Sequence, residues 1–410
     1  MTTMRGVCCT TVSTLAALLM AAPVTAAADP PQNPGLPAAL TSAIERDLGL
    51  SPQEYQRRAE LAQRLASFAA TRRQLDPGSV RGIRLDGAGR PVVATTDNAV
   101  RAAAQHAGFV LTDAAAPGWD AAAAHPGTDR RYPVPELPAA AAPVTPLDTV
   151  AGGNRYMSIT QPSKHQGAEC SWAFNAVDQD GHPAALTAGH CNVAALAEES
   201  IGPDQRTYQL LPGDKPGVVT GNFEKSVVDG IRDYSIVRIA EPVRHAFHNN
   251  LVRGRVGGPA IGITGVGIPV EGAPVCKSGS TTGFTCGIIT AVDQPDSQRP
   301  PIRFKHTALT LPGDSGGALV SGSLAMGIVS EGGIYSDPSE FPTDRPGVLP
   351  PAQPGIPSLS RILQQIGPGA LEQVSPPIDG LLRFVPQVTM IAQSVADVLA
   401  ENPGVHLRTS

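Results

Sequence analysis

The region from Val150 to about residue 335 constrains the fold most strongly, because short apolar runs alternate there with glycine-containing turns. No helical segment separates these runs, which are Trp172–Val177, Val218–Phe223, Tyr234–Ile239, Cys286–Ala291, Ala318–Val320 and Ala325–Val329. Parallel sheets need helical crossovers, whereas regularly spaced short strands joined by turns are typical of all-β barrels and sandwiches. The region therefore predicts an all-β domain.

A small α+β unit is expected ahead of this region, over residues 29–113. Its Pro- and Ala-rich start, residues 29–40, should be loose. Ser51–Glu54 combines an N-cap serine, a first-turn proline and a capping-box glutamate, so a helix should begin there. The turn Asp86–Gly89 lies between two apolar runs and indicates a hairpin, and Asp97 is placed to cap a further helix.

The segment 114–149 contains mostly Ala, Pro, Gly and Asp. Such a composition cannot bury a core, so we expect a linker.

The N-terminus has the pattern of a secretory signal peptide. Arg5 precedes the uncharged stretch Val12–Val24, and Ala26–Ala28 supplies a small-residue cleavage site, so residues 1–28 should be removed. The apolar run is too short to cross a bilayer as a folded helix, although an N-terminal membrane anchor is the alternative. No later apolar run approaches the roughly 18 residues of a transmembrane helix. We therefore expect a secreted protein with no transmembrane segment in its mature form.

After removal of this peptide four cysteines remain: Cys170, Cys191, Cys276 and Cys286. An even number of cysteines in an exported chain predicts two disulfides. The net charge of −5, from 31 Lys+Arg and 36 Asp+Glu, argues against a broad basic face for nucleic acid. With the cysteines committed to disulfides and the histidines scattered, no metal and no cofactor are expected.

The heptapeptide Leu311–Gly317 contains a serine between glycines. A serine hydroxyl needs an adjacent base to act as a nucleophile, and the oxyanion formed on attack needs hydrogen-bond donors. Glycines around Ser315 allow the tight backbone that directs two N–H groups to one point. In a glycine-rich chain the alternative is a plain surface turn.

A candidate base lies in Leu186–Cys191, where a disulfide from Cys191 would restrain His190. Cys170 is the natural partner, and such a loop contributes about 3 kcal/mol in the chain-entropy model. Asp233, directly before an apolar run, could accept a hydrogen bond from the imidazole. Asp229 is the nearby rival.

Three motifs, in the chain order His, Asp, Ser, resemble those of the chymotrypsin-like serine peptidases: Leu186–Cys191, Asp233–Val237 and Pro312–Gly317. Three further segments resemble the bacterial branch of α-lytic protease and the streptogrisins. Val275–Gly287 resembles the small-disulfide signature of that branch, Val150–Gly153 resembles its mature N-terminus, and Arg46–Leu50 resembles part of its pro region. The resemblance covers roughly residues 41–370.

This resemblance implies two six-stranded antiparallel β-barrels with the active site between them. His190 and Asp233 would come from the first barrel and Ser315 from the second. His190 would take the Ser315 proton and pass it to the leaving amine, while Asp233 orients His190. The backbone N–H groups of Gly313 and Ser315 would form the oxyanion hole.

The family pattern also implies supporting residues. Ser330 would donate a hydrogen bond to Asp233, and a disulfide would join Cys276 to Cys286. The buried Asp314 would pair with Lys277, for which a solvated position is the alternative.

The chain departs from the family near its specificity pocket. Leu309 and roughly Ser336 stand where relatives have a disulfide, Glu331 replaces a glycine, and 333–357 is a Pro-rich insertion expected to be a surface loop. We see no aspartate for a pocket floor and no histidine beside Ser330. A preference for small to medium apolar side chains is therefore expected.

The protease domain is expected over residues 150–370, with a short helix at Ser358–Ile366. Residues 371–410 are predicted to be an extension carrying an amphipathic helix over Pro386–Glu401, because its apolar residues share one helical face.

The sequence thus predicts a secreted, monomeric serine endopeptidase that acts on polypeptides and is made with a pro region. In the family this region aids folding and inhibits the enzyme, and we expect self-cleavage in the linker just before Val150. The alternative is a protease fold retained as a binding or adhesion module.

Overall fold

The fold is taken from a computed structural model of the chain. The structure describes residues 36–114, 132–133, 147, 149–161, 166–196, 205–212, 215–254, 258–294, 296, 298–333 and 389–410. The predicted signal peptide, most of the linker, the Pro-rich loop beyond residue 333 and the expected helix at Ser358–Ile366 lie outside these residues.

Strands dominate the described residues. The helices are α1 (Ala38–Leu48), α2 (Pro52–Leu75), α3 (Asn98–His106), α4 (Val193–Leu196) and α5 (Val395–Glu401), with a 3-10 helix at Glu241–Phe247. The strands are β1 (Gly82–Leu85), β2 (Pro91–Ala94), β3 (Val110–Thr112), β4 (Tyr132–Pro133), β5 (Arg155–Gln161), β6 (Gln166–Ser171), β7 (Phe174–Val177), β8 (Pro183–Thr187), β9 (Arg206–Leu211), β10 (Lys215–Val228), β11 (Asp233–Ile239), β12 (Leu251–Arg253), β13 (Ala260–Gly262), β14 (Gly265–Val266), β15 (Pro274–Gly279), β16 (Gly283–Asp293), β17 (Arg303–His306), β18 (Ala318–Ser321), β19 (Leu324–Gly333), β20 (Thr389–Ser394) and β21 (His406–Leu407).

The first barrel is an antiparallel sheet in the order β7-β8-β11-β10-β9-β5-β6. Only Trp172 and Ala173 separate β6 from β7, so these two strands are halves of one bent segment that closes the sheet into six strands. Trp172 is 1% exposed and lies at this bend. Its ring stacks on Tyr156 at 4.1 Å between centroids and forms a T-shaped pair with Phe247 at 5.5 Å. The bend is therefore also the centre of the first core.

The second barrel follows the order β19-β18-β15-β16-β17-β20 and closes because β19 also pairs with β20. Every pair in this ring is antiparallel. The predicted all-β fold with barrels is confirmed.

The expected helix over Pro386–Glu401 is wrong for Thr389–Ser394, which forms β20. This strand is hydrogen-bonded to β17 on one side and to β19 on the other, so it belongs to the second barrel and not to an extension. Met390, Ile391, Ala392 and Gln393 are all buried. A short apolar run buried on both faces cannot be distinguished from a helix by its periodicity. Only Val395–Glu401 is helical, and the boundary placed at residue 370 therefore cuts off a strand of the barrel.

The N-terminal unit has the expected order of elements. Ser51 Oγ accepts a hydrogen bond from Glu54 N at 3.1 Å, and Asp97 Oδ1 accepts one from Val100 N at 2.7 Å, which caps α2 and α3. Helix α1 already begins at Ala38, inside the segment expected to be loose.

This unit packs against the second barrel. Leu85 N donates to Glu271 O at 2.8 Å, and the side chain of Gln63 bonds both the N–H and the C=O of Ile268. The carboxylate of Asp47 accepts a hydrogen bond from Cys286 N at 2.8 Å. Leu40 and Ile44 are fully buried in the same apolar cluster as residues of both barrels. The core of the unit is thus continuous with the cores of the barrels.

His306, on β17, is fully buried in the second barrel. Neither ring nitrogen has a hydrogen-bond partner among the residues that the structure describes. Burial, together with the positive charge of Lys277, lowers the pKa of His306 to about 3. The folded chain therefore keeps this imidazole neutral at every pH near neutrality.

We expect His306→Leu to reduce the acid sensitivity of the fold. Below pH 6.5 the unfolded chain binds a proton at residue 306, whereas the folded chain does so only near pH 3. As the pH falls from 6.5 towards 3, the free energy of unfolding should therefore fall by about 1.4 kcal/mol per pH unit. The His306→Leu chain should lack this contribution to the pH dependence.

Urea unfolding of both chains, each carrying Ser315→Ala to prevent self-digestion, at pH 4 and pH 7.5 would measure this difference. His245→Leu removes an exposed histidine and serves as the control. Equal pH slopes for the wild-type and His306→Leu chains would contradict the expectation.

Candidate active site

His190 follows β8 and is restrained from two sides. The disulfide Cys170–Cys191 joins the residue after it to β6. Gly189 packs so closely that a Cβ there would collide with the carbonyl oxygen of Val227. The His190 side chain is 13% exposed. It is therefore oriented by its backbone but remains open to one side.

Asp233 begins β11 and contacts His190 twice. Its Oδ2 lies 2.7 Å from His190 Nδ1, and its Oδ1 accepts a hydrogen bond from His190 N at 2.8 Å. Ser330 Oγ, from β19, donates to the same Oδ2 at 2.6 Å. The rival Asp229 instead accepts from the N–H groups of Ile231 and Arg232 and closes a turn.

The charge of Asp233 is favoured by these contacts. Burial by itself raises the pKa of this carboxyl, but the charge of His190 and the hydrogen bonds from His190 and Ser330 outweigh it and leave the pKa below its ordinary value. Asp233 is therefore a carboxylate at neutral pH.

Gln393, on β20, is a contact of Asp233 that the sequence analysis missed. Its Oε1 accepts a hydrogen bond from Asp233 N at 3.0 Å, while its Nε2 donates to Ile302 O and to Asp397 Oδ2. Because Pro386–Glu401 was predicted to be a helix outside the barrels, no contact between Gln393 and Asp233 was expected. A glutamine directly after the apolar run of residues 390–392 was the available signal, because a buried amide needs specific partners.

Ser315 is 7% exposed and lies in the loop before β18. Its carbonyl oxygen accepts a hydrogen bond from Ser171 N at 2.7 Å, directly beside the disulfide that restrains His190. Gly316 has φ +79°, and a Cβ there would collide with Thr187 Oγ1. The serine loop of the second barrel is thus seated on the part of the first barrel that carries His190.

Asp314 and Lys277 form an ion pair that is fully buried. Their Oδ2 and Nζ atoms are 2.9 Å apart, and both side chains are 0% exposed. Asp314 also accepts from Leu311 N, Thr281 N and the N–H and hydroxyl of Thr282. Burial lowers the pKa of Lys277, and the neighbouring Asp314 carboxylate opposes this shift.

The second disulfide, Cys276–Cys286, spans the β15–β16 hairpin next to Lys277. Closing a loop of 10 or 21 residues stabilises the fold by about 3 kcal/mol in the chain-entropy model.

A group of three possible metal ligands lies on the turn between β7 and β8: Asp178, Asp180 and His182. Asp178 already contacts His182 Nδ1 at 3.1 Å and Arg238 at 3.3 Å, and the other two residues are exposed. This arrangement is that of a solvated turn with an ion pair.

Comparison with known proteins adds to this geometry. No family model matches the chain. Serine protease 2 of Streptomyces fradiae is 33% identical over 175 residues, which are 40% of this chain and 88% of that protein. The chain belongs to the chymotrypsin-like serine peptidases of bacteria.

Two further relatives match similar shares of the chain. Glutamyl endopeptidase 2 of Streptomyces griseus is 34% identical over 168 residues, covering 40% of this chain and 79% of that protein. Streptogrisin-D of the same organism is 32% identical over 202 residues, covering 48% of this chain but only 44% of its own length. Among solved structures, a Nocardiopsis protease aligns over 64% of this chain and its whole length, with 24% identity and a TM-score of 0.39.

We expect Lys277→Met to destabilise this peptidase by about 3–5 kcal/mol, because it leaves the Asp314 carboxylate buried without a counter-charge. Chemical unfolding of the Ser315→Ala chain with and without the substitution would measure the loss. Lys215→Met, which removes an exposed lysine on β10, is the control and should change stability by less than about 0.5 kcal/mol. A loss no larger than that of the control would show that the pair does not stabilise the loop.

Proposed function

We propose that the chain is a secreted serine endopeptidase, made as a pre-pro-enzyme, with Ser315, His190 and Asp233 as its catalytic triad. The observation that carries the proposal is the 2.7 Å contact between His190 Nδ1 and the partly buried Asp233 carboxylate. Membership of a serine peptidase family supports the same assignment, as does the hydrogen bond from Ser171 N to Ser315 O, next to the disulfide that restrains His190.

Peptide hydrolysis would proceed through an acyl-enzyme. The oxygen of Ser315 attacks the substrate carbonyl carbon as its proton passes to His190 Nε2, which can accept it because Nδ1 donates to Asp233. The same proton then goes to the leaving amine as the C–N bond breaks. A water molecule then attacks the ester carbon as its proton passes to His190, and His190 returns this proton to the Ser315 oxygen as the C–O bond to Ser315 breaks. Asp233 stays ionised throughout and stabilises the imidazolium.

The backbone N–H groups of Gly313 and Ser315 would bind the oxyanion of each tetrahedral intermediate. Gly313 has φ +96°, a conformation that favours glycine. Asp314, the residue between these two donors, is held by its ion pair with Lys277. Donors oriented in advance of the reaction cost no reorganisation when the charge develops.

The N-terminal unit would act as the pro region, aiding folding and inhibiting the enzyme. This proposal is supported by the buried contact of α1 and α2 with the second barrel. In that contact Asp47 accepts a hydrogen bond from Cys286 N, and Tyr55 is fully buried. Two all-β barrels have many contacts between residues that are distant in sequence, and they therefore fold slowly. A segment that packs against the second barrel could assist this folding. Kinetic stability after its removal suits an exported protease.

Maturation would occur by self-cleavage in the linker, most simply just before Val150. In the uncleaved chain Val150 N donates to Ala246 O at 2.8 Å, and Gly152 N donates to Leu251 O at 2.8 Å. Asp314 is likewise already paired with Lys277. Activation would then require removal of the pro region and no insertion of the new N-terminus.

The substrates would be polypeptides, cleaved after small to medium apolar side chains. Within the described residues, none of the helices combines the length and apolar character that crossing a membrane requires. We expect the mature enzyme to be a monomer that binds no nucleic acid.

We expect the chain expressed from residue 29 to shorten to a species that starts near Val150, while Ser315→Ala stays intact. Intact-mass measurement over time would follow both chains. The N-terminal sequence of the product would report the preferred side chain before the cut.

Continued processing of Ser315→Ala would contradict self-cleavage. If neither chain shortens, a fluorophosphonate label distinguishes the remaining cases. Labelled Ser315 means that another protease activates the enzyme, and the absence of labelling would favour a binding module.

A further inference from the structure

The peptide bond between Pro312 and Gly313 carries one of the two proposed oxyanion donors. Its carbonyl oxygen accepts a hydrogen bond from Thr281 Oγ1 at 2.7 Å. In a planar trans peptide the C=O and N–H bonds point in opposite directions. Fixing Pro312 O therefore fixes the direction of Gly313 N–H.

The neighbouring peptides of the loop are anchored in other ways. Asp314 O, in the peptide of the second donor Ser315 N, accepts from Gly317 N at 2.9 Å. Gly313 O accepts from Ser171 Oγ and Ser280 Oγ, but the N–H of that peptide belongs to Asp314 and donates to Leu311 O. Of the two donor peptides, the one at Pro312 is thus anchored by a side-chain hydroxyl.

The Pro312–Gly313 peptide needs such an anchor because glycine gives it rotational freedom. Gly313 adopts φ +96°, and glycine populates both signs of φ about equally readily. The hydroxyl of Thr281 comes so close that a Cβ on residue 313 would collide with it. With Thr281 in this position, residue 313 therefore has room only for a glycine.

Thr281 is itself tied to the buried ion pair. Its backbone N–H donates to Asp314 Oδ1 at 2.9 Å, and Asp314 Oδ2 binds Lys277. The residue is exposed, so changing its side chain leaves no cavity in the core.

We propose that Thr281 is a positioning residue of the oxyanion hole, which orients Gly313 N–H towards the reacting carbonyl through its hydrogen bond to Pro312 O. The proposal rests on the serine peptidase function proposed above. It predicts that the hydroxyl acts on the transition state and not on substrate binding.

The test compares Thr281→Val, which keeps the shape but lacks the hydroxyl, with Thr281→Ser, which retains it. With a chromogenic peptide substrate, Thr281→Val should lower kcat by about 10- to 100-fold, less than the roughly 100- to 1,000-fold loss on deleting an oxyanion donor. KM should stay within about twofold, since the ground-state contacts are unchanged, and Thr281→Ser should return kcat to within about threefold.

A peptide boronate, which forms a tetrahedral adduct with the serine, should lose affinity for Thr281→Val in parallel with kcat. Ser280→Ala is the matched control, because it removes a hydroxyl from the adjacent peptide, whose N–H is not an oxyanion donor. It should keep kcat within about threefold of wild type. Titration with a fluorophosphonate gives the fraction of folded, active enzyme in each sample.

Unchanged kcat in Thr281→Val, or equal losses in the Val and Ser variants, would overturn the positioning role while leaving the peptidase function intact. A KM increase without loss of kcat would do the same. A wild-type chain that neither turns over substrate nor reacts with the fluorophosphonate would overturn both proposals.

Discussion

The buried pair of Lys277 and Asp314 is the interaction on which the candidate site depends. Two opposite charges without access to water are stable only when each is paired and hydrogen-bonded. Asp314 meets this condition by binding Lys277 and the N–H groups of three residues around the serine loop. Its carboxylate therefore ties the loop to the β15–β16 hairpin. The position of the residues on both sides of Asp314 follows from this anchor.

Much of the site could be predicted from the sequence, because its chemistry is concentrated in short segments. His190 has a neighbouring half-cystine, Ser315 has its glycines, and Asp233 stands at the start of a strand. Each signal is local, and the structure brings His190 and Asp233 into contact. The alternation of apolar runs and turns likewise predicted strands, although the choice of two closed barrels came from the family resemblance.

The contacts of Gln393 and Asp47 could not be predicted in the same way. Gln393 reaches Asp233 across 160 residues of sequence, and Asp47 reaches Cys286 across 239. Neither local spacing nor periodicity encodes a partner at such a distance. For Gln393 the short apolar run around it also fitted a helix. Because the secondary structure of this stretch was predicted wrongly, the contact of Gln393 with Asp233 could not be predicted either.

The pairing of β19 with β20 has a consequence for how this chain can vary. Gly333 lies opposite Thr389 in the ladder, so the chain leaves the barrel and returns to it at adjacent positions. For a flexible connection whose ends are held together, the entropic cost of closure rises only slowly with the number of residues. Insertions or deletions between Gly333 and Thr389 therefore need not disturb the register in which β19 and β20 pair. The second barrel thus determines where this connection begins and ends, and not how many residues it contains.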